Sequence, residues 1–287
     1  MRRALWLLAA LVLVLLGVGI YLAPDRGGPK LPIEVPVGKG CRAQTSAGVV
    51  NLYPEQMANA ATIAAVGVVK GIPDRGIVVA LAAAMQESEL YNLSGGDRDS
   101  IGLFQQRPSM GWGTVAQVSD PRYASRAFYN KLLRIDGWEE MRLTDAAQAV
   151  QRSAYPEAYQ KWASDAQVLG DALVGAQQAA IACEKVGEPT LRGAAAADAL
   201  ADSLRADWGP LVSSARVIDR DSLSVAPAQD RAGWQLAAWL VANSGTRNVS
   251  RVRFAGHEWN VQSGEWSQMD TGAVDSPDVV IAEVYPG

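Results

Sequence analysis

The run MQESEL, residues 85–90, closes an alanine-rich segment, and GLFQQRPS, residues 102–109, follows after a glycine-rich gap. A carboxyl group in the last turn of a helix faces the negative end of the backbone dipole, and burial disfavours its charged form. Both effects raise the pKa, which suits Glu87 to give a proton to a departing oxygen, as cleavage of a glycosidic bond requires. Glu89 lies two residues further on and therefore off the Glu87 face. Helix glutamates are usually solvated, so position alone leaves Glu87 an ordinary surface group. The flanking elements must single it out.

Those elements are legible in outline. Pro54 opens a helical run that stops at Gly71 and Pro73. Asp74 is placed to cap the next helix, in which Ile77, Val78, Leu81 and Met85 make an apolar stripe. Glu87 lies off that stripe, above Ala80, Ala83 and Ala84, and such small residues let another segment approach closely. Residues 91–100 lose the helical period and carry the glycines and short polar residues of a loop. Asp120 and Pro121 fit the cap and first turn of a helix holding Tyr123, Phe128, Leu132 and Leu133, and further helices are expected from Thr144 and from Pro156 to about Val186. The span 41–186 therefore reads as a nearly all-helical domain.

The stretch AAMQESELYNLSGGDRDSIGLFQQRPS, residues 83–109, resembles the glutamate-serine and serine-x-Gly-Leu-aromatic-Gln signature of lysozyme-like lytic transglycosylases, and the likeness extends less sharply over residues 42–182. The resemblance implies that Glu87 is the catalytic acid and base, that Ser88 follows it in the helix motif, and that Ser100, Gly102, Leu103, Phe104 and Gln105 form the segment that fixes the glutamate and contacts sugar. The implied substrate is peptidoglycan, cut at the MurNAc-GlcNAc β-1,4 bond. Considered physically, Gly102 permits backbone conformations closed to other residues, and Phe104 reads as a core plug rather than a sugar platform. Gln105 has the groups to bond Glu87 or an acetamido group, or to stabilise its own turn. Residues 153–159, SAYPEAY, lie where such folds place a tyrosine-bearing segment across the cleft, although AVQRSAYP stands here in place of the common AYNAG pattern. Either Tyr155 or Tyr159 is available to support Glu87 or line a subsite, and Tyr155 is carried forward as the substrate contact. A second carboxylate could come from Asp97 or Asp99, which an inverting hydrolase would hold about 6.5 to 9.5 Å from the acid. The same DRD sequence also makes a salt-bridged turn with Arg98 or Arg107.

After Cys183 the composition changes, and residues 194–287 read as a small α+β accessory domain. An alanine run near Gly193 and residues 228–244 are expected as helices, while SRVRFAG, HEWNVQ and DVVIAEVY alternate as strands. Residues 228–285 weakly resemble actinobacterial wall domains related to D,D-carboxypeptidase-like zinc peptidases. Their histidine-rich strand is replaced here by DSPDVVIAEV, and His257 is the one histidine in the chain. Any ancestral metal site has therefore been lost, and no metal or cofactor is expected. This portion is left a binding or spacer role.

Ala4 to Ala23 run for twenty residues without a charge, behind Arg2 and Arg3. That length spans a bilayer core of about 30 Å as a helix, and the flanking arginines favour a cytoplasmic N-terminus. The expectation is a single-pass membrane anchor at 1–23, a Pro/Gly tether at 24–40, and the remainder outside the cytoplasm. A formal net charge of -4 gives no support to nucleic-acid binding. In an oxidising compartment Cys41 and Cys183, the two cysteines present, read as a disulfide rather than a metal pair, with two separate buried thiols as the alternative. The expected class is α+β: a mainly helical lysozyme-like domain and a small α+β domain behind one transmembrane helix. The leading reading is a membrane-anchored peptidoglycan-cleaving enzyme. Its rival is a non-catalytic wall-binding subunit of an envelope machine, and an envelope protein partner suits either.

Overall fold

The computed structural model describes residues 40–269 and 278–287. The expected anchor at 1–23 and all but Gly40 of the tether expected at 24–40 lie outside the described residues, among which no helix is long and apolar enough to cross a membrane. The described protein is α+β, with nine α-helices and two antiparallel sheets.

The described residues open with a hairpin of β1 (Cys41–Thr45) and β2 (Gly48–Leu52). Gln177 clamps its turn, accepting from the Ser46 amide at 3.1 Å and donating to Ser46 Oγ at 2.9 Å. Helix α1 (Pro54–Val69) starts on a proline, whose missing N–H costs nothing in a first turn. Helix α2 (Asp74–Ser88) is the centre of the molecule. Pro73 occupies the cap position and Asp74 the first turn, so the expected Asp74 cap is displaced by one residue. Every residue from Gly76 to Met85 is buried, which replaces the expected one-sided stripe with burial all round. The alanines make that burial compatible with close packing of α5 (Leu143–Gln151) and α6 (Ala163–Leu173) against it, after α3 (Val115–Val118) and α4 (Pro121–Leu132) have been laid down.

Two expectations fail in this portion. The single helix from Pro156 to about Val186 is instead a 3-10 segment, Pro156–Trp162, then α6, then β3 (Ile181–Cys183). The nearly all-helical reading also omits a three-stranded sheet ordered β2-β1-β3. Cys41 stands directly opposite Cys183 across β1 and β3, and the two form a disulfide over a sequence separation of 142.

The chain continues through α7 (Gly193–Trp208), β4 (Arg216–Ile218), β5 (Ser222–Val225), α8 (Asp230–Ala242), α9 (Ser244–Arg247), β6 (Val249–Phe254), β7 (His257–Asn260), β8 (Trp266–Gln268) and β9 (Val280–Val284). These strands form one sheet ordered β4-β5-β9-β6-β7-β8, so the last strand sits in its interior. Ala255 and Gly256, both at positive φ, turn β6 into β7 as a tight hairpin.

The 41–186 and 194–287 portions share one hydrophobic core, within a unit that runs from Pro36 to Gly287. At its centre Asp207 of α7, 4 % exposed, accepts at Oδ2 from Thr62 of α1 at 2.9 Å and from the Trp239 indole of α8 at 2.8 Å. Arg122 of α4 faces the other oxygen as an ion pair at 2.5 Å.

Two stability outcomes follow from these contacts. Replacing Cys41 and Cys183 by serine is expected to remove about 2 to 5 kcal/mol of stability, read as a lower urea midpoint that reductant reproduces in the parent protein. Asp207→Ala takes away the acceptor shared by Thr62 and Trp239 and leaves Arg122 with the more distant Asp120, 3.9 Å away; it is expected to cost about 3 kcal/mol, read in the same unfolding experiment.

Candidate active site

The site is built where α2 stops. Glu89 and Leu90 both adopt left-handed backbone angles, φ 53° and 64°. For non-glycine residues this costs on the order of 1 to 2 kcal/mol each, so neighbouring contacts must hold them. Gln56 donates to the Glu89 carbonyl and Asn59 to the Leu90 carbonyl, each at 2.8 Å, and Leu90 is itself buried. The abrupt stop leaves Glu87 in the last turn, partly exposed, with buried Ser88 beside it.

Ser88 Oγ lies 2.8 Å from the Leu103 carbonyl and so fastens the helix end to the segment 102–105. That segment is a tight turn in which Ile101 and Gln106 exchange both backbone hydrogen bonds at 3.0 Å. Gly102 is at φ +80°, and a Cβ there would stand 2.4 Å from the Val118 carbonyl, so both conformation and space demand glycine. Phe104 is fully buried and stacks on Phe128 at 4.9 Å, a core plug as its type suggests. Gln105 sits at φ 44° and bonds the Gly102 carbonyl at 3.2 Å, the turn-stabilising option among its expected roles. Ser100 is buried at the foot of the turn, its amide bonded to the Asp97 carbonyl.

Tyr159 completes the site. From the 3-10 segment its hydroxyl donates to Glu87 Oε1 at 2.7 Å, and Trp162 of the same segment donates its indole N–H to Gln86 at 3.1 Å. Gln151, at the end of α5, donates to the Phe104 carbonyl at 2.8 Å with the same side-chain amide that bonds Glu87. Burial raises the Glu87 pKa, and the bonds from Tyr159 and Gln151 offset part of that rise. The Tyr159 phenol is itself pushed well up by burial and by the Glu87 charge, so it remains a donor.

The other candidates lie apart. Tyr155 is 76 % exposed, and no bond joins it to Glu87. Asp97 is almost fully exposed, 3.9 Å from Arg98. Asp99 accepts from the Ser109 amide at 2.8 Å, Arg107 at 2.8 Å and the Ser109 hydroxyl at 2.9 Å, and these bonds hold it well below the usual carboxylate range. It is a loop staple. His257 packs edge-on to Trp234 with its Nδ1 3.0 Å from the Ala255 carbonyl. Among the described residues no three of His, Cys, Asp and Glu converge as a metal set.

Of the two tyrosines available to support Glu87, Tyr159 is the one that bonds it, while Tyr155 is the one carried forward from the sequence as a substrate contact; Gln151 is not anticipated there. A signal for Tyr159 was present in Trp162 three residues on, since two aromatics one turn apart reach one surface together. Neither a model of a known protein family nor a curated protein sequence matches the chain.

The raised carboxyl carries a stability consequence. The folded protein holds this proton more tightly than the unfolded chain, so stability falls as pH rises from the ordinary value of 4.5 through the raised one. Glu87→Gln removes that loss. Parent and variant should melt alike below pH 4.5, and the variant should melt higher at neutral pH; identical differences at every pH would show that Glu87 titrates as a solvated group.

Proposed function

We propose that the protein cleaves peptidoglycan glycan strands at the MurNAc-GlcNAc β-1,4 bond by lytic transglycosylation, with Glu87 as the single acid and base of a lysozyme-like cleft. The observation that carries this reading is a partly buried glutamate, raised in pKa and oriented by Tyr159, at the mouth of a glycine-dependent turn. In the reaction Glu87 gives its proton to the glycosidic oxygen as the C1–O bond breaks, and the N-acetyl group stabilises the cationic sugar. The Glu87 carboxylate then takes the C6 hydroxyl proton while O6 closes on C1, leaving a 1,6-anhydro end and returning Glu87 to its acid form. No water is consumed.

Hydrolysis by an inverting route would need a second carboxylate to activate water. Asp99 is poorly suited to that task because its three donors stabilise the anion and weaken it as a base. An anchor at 1–23 and a tether would keep the cleft outside the membrane within reach of the wall.

The test is mass spectrometry of muropeptides released from purified peptidoglycan by the full-length protein, with Glu87→Gln and Tyr159→Phe in parallel. Glu87→Gln is expected to fold and to lose about 100-fold or more in activity. Tyr159→Phe removes a bond that lowers the Glu87 pKa, so the residual activity should fall off at higher pH than in the parent. Reducing MurNAc ends would assign a lysozyme instead. No release from several wall preparations would favour the wall-binding subunit.

A further inference from the structure

A cavity of about 560 Å3 opens at the seam of the two portions, lined by β1, by the segment entering β3, and by Glu265 and Trp266 at the start of β8. None of its lining residues belongs to the Glu87 site, and neither portion supplies the walls alone.

Its chemistry is narrow. The two ionisable residues in the lining, Arg42 and Glu265, neutralise each other, with one guanidinium nitrogen 2.8 Å from both carboxylate oxygens. A charged ligand of either sign would have to compete with that pair. The remaining polar lining is amide and hydroxyl, which both donates and accepts. Gln177 and Ser46 are committed to each other in the β1–β2 turn. Gln44 and Gln178 are exposed, and neither side chain bonds any described residue. Arg42 Nε is buried and closed to a ligand, and Arg42 meets the cavity through its ion-paired end. An apolar ligand would leave both glutamines unsatisfied.

Backbone recognition is restricted as well. The Ala180 carbonyl is taken by the Gln44 amide at 2.8 Å and the Ile181 carbonyl by the Trp266 indole at 2.7 Å, so two of the backbone acceptors an extended peptide would use are spent. Because its N–H is spent, Trp266 can offer only its ring. Ala179 of the lining is held at φ 53°, a strained angle for a residue with a side chain and one that marks a shape imposed by its surroundings.

We propose that this cavity is a second ligand site, for an uncharged N-acetylated saccharide. Hydroxyl and acetamido groups meet Gln44 and Gln178, and the sugar's C–H face meets Trp266. The site does not depend on Glu87, so the catalytic proposal and this one stand or fall separately.

The probe is chitotetraose, titrated into full-length Glu87→Gln protein labelled with 5-fluorotryptophan, with the Trp266 19F signal assigned through Trp266→Phe. A saturable shift of that signal is expected, with affinity about tenfold or more weaker when Gln44→Ala and Gln178→Ala are added. Both glutamines are exposed, so the melting temperature should not move. An unmoved Trp266 signal at millimolar chitotetraose overturns the proposal, as does a shift indifferent to the two glutamine substitutions. A shift given by acetyl-trialanine amide and not by chitotetraose would overturn the saccharide assignment in favour of a peptide.

Discussion

The burial of α2 on every side is the constraint from which the rest follows. A helix surrounded by protein from Gly76 to Met85 must be narrow, hence its alanines, and it must give up its polar end somewhere. That end is the last turn, where the backbone dipole is negative and a carboxylate is least welcome. A glutamate held there costs folding free energy in its charged form. The protein keeps it with neutral donors, Tyr159 and Gln151, rather than with a cation. A cation would have lowered the pKa and spoiled the group as an acid.

The same constraint explains why the accessory portion is not a free appendage. Residues of α1, α4, α7 and α8 meet around Asp207, a carboxylate that its donors and Arg122 make tolerable in the core. The disulfide joins the two ends of the first portion at one point of one sheet. Since α1 packs on both α2 and α8, the position of Glu87 depends on helices contributed by both portions. The cavity at Arg42 and Glu265 is a second product of that packing, because its walls come from β1 on one side and β8 on the other.

Local signals were readable where they were strong. The Glu87 helix, the glycine-bearing turn at 102–105, the β6–β7 hairpin and the final strand all announce themselves by period or by turn residues. The β1–β2 hairpin did not, since CRAQT and GVVNL are short and β3 has three residues, IAC, with no alternation to detect. Their pairing is set by the disulfide and by Gln177, both distant in sequence. The choice between Tyr155 and Tyr159 was only faintly marked, by Trp162, because Tyr155 stands just before a 3-10 segment and Tyr159 within it. Position 159 is carried inward and position 155 outward. His257 is packed against an indole.

Tyr159 also bears on which proton Glu87 can give. Its bond goes to Oε1, and burial keeps the phenol protonated, so it donates whether or not the glutamate is charged. When Glu87 takes up a proton, Oε1 is already an acceptor from Tyr159, which favours the other oxygen for the proton. The tyrosine therefore selects the oxygen as well as orienting the side chain. In a reaction where the same carboxyl first gives a proton and then takes one back, a fixed choice of oxygen spares the group a rotation between the two steps. A cationic partner could hold the carboxylate but would oppose its return to the acid form; a neutral phenol with a high pKa serves both states.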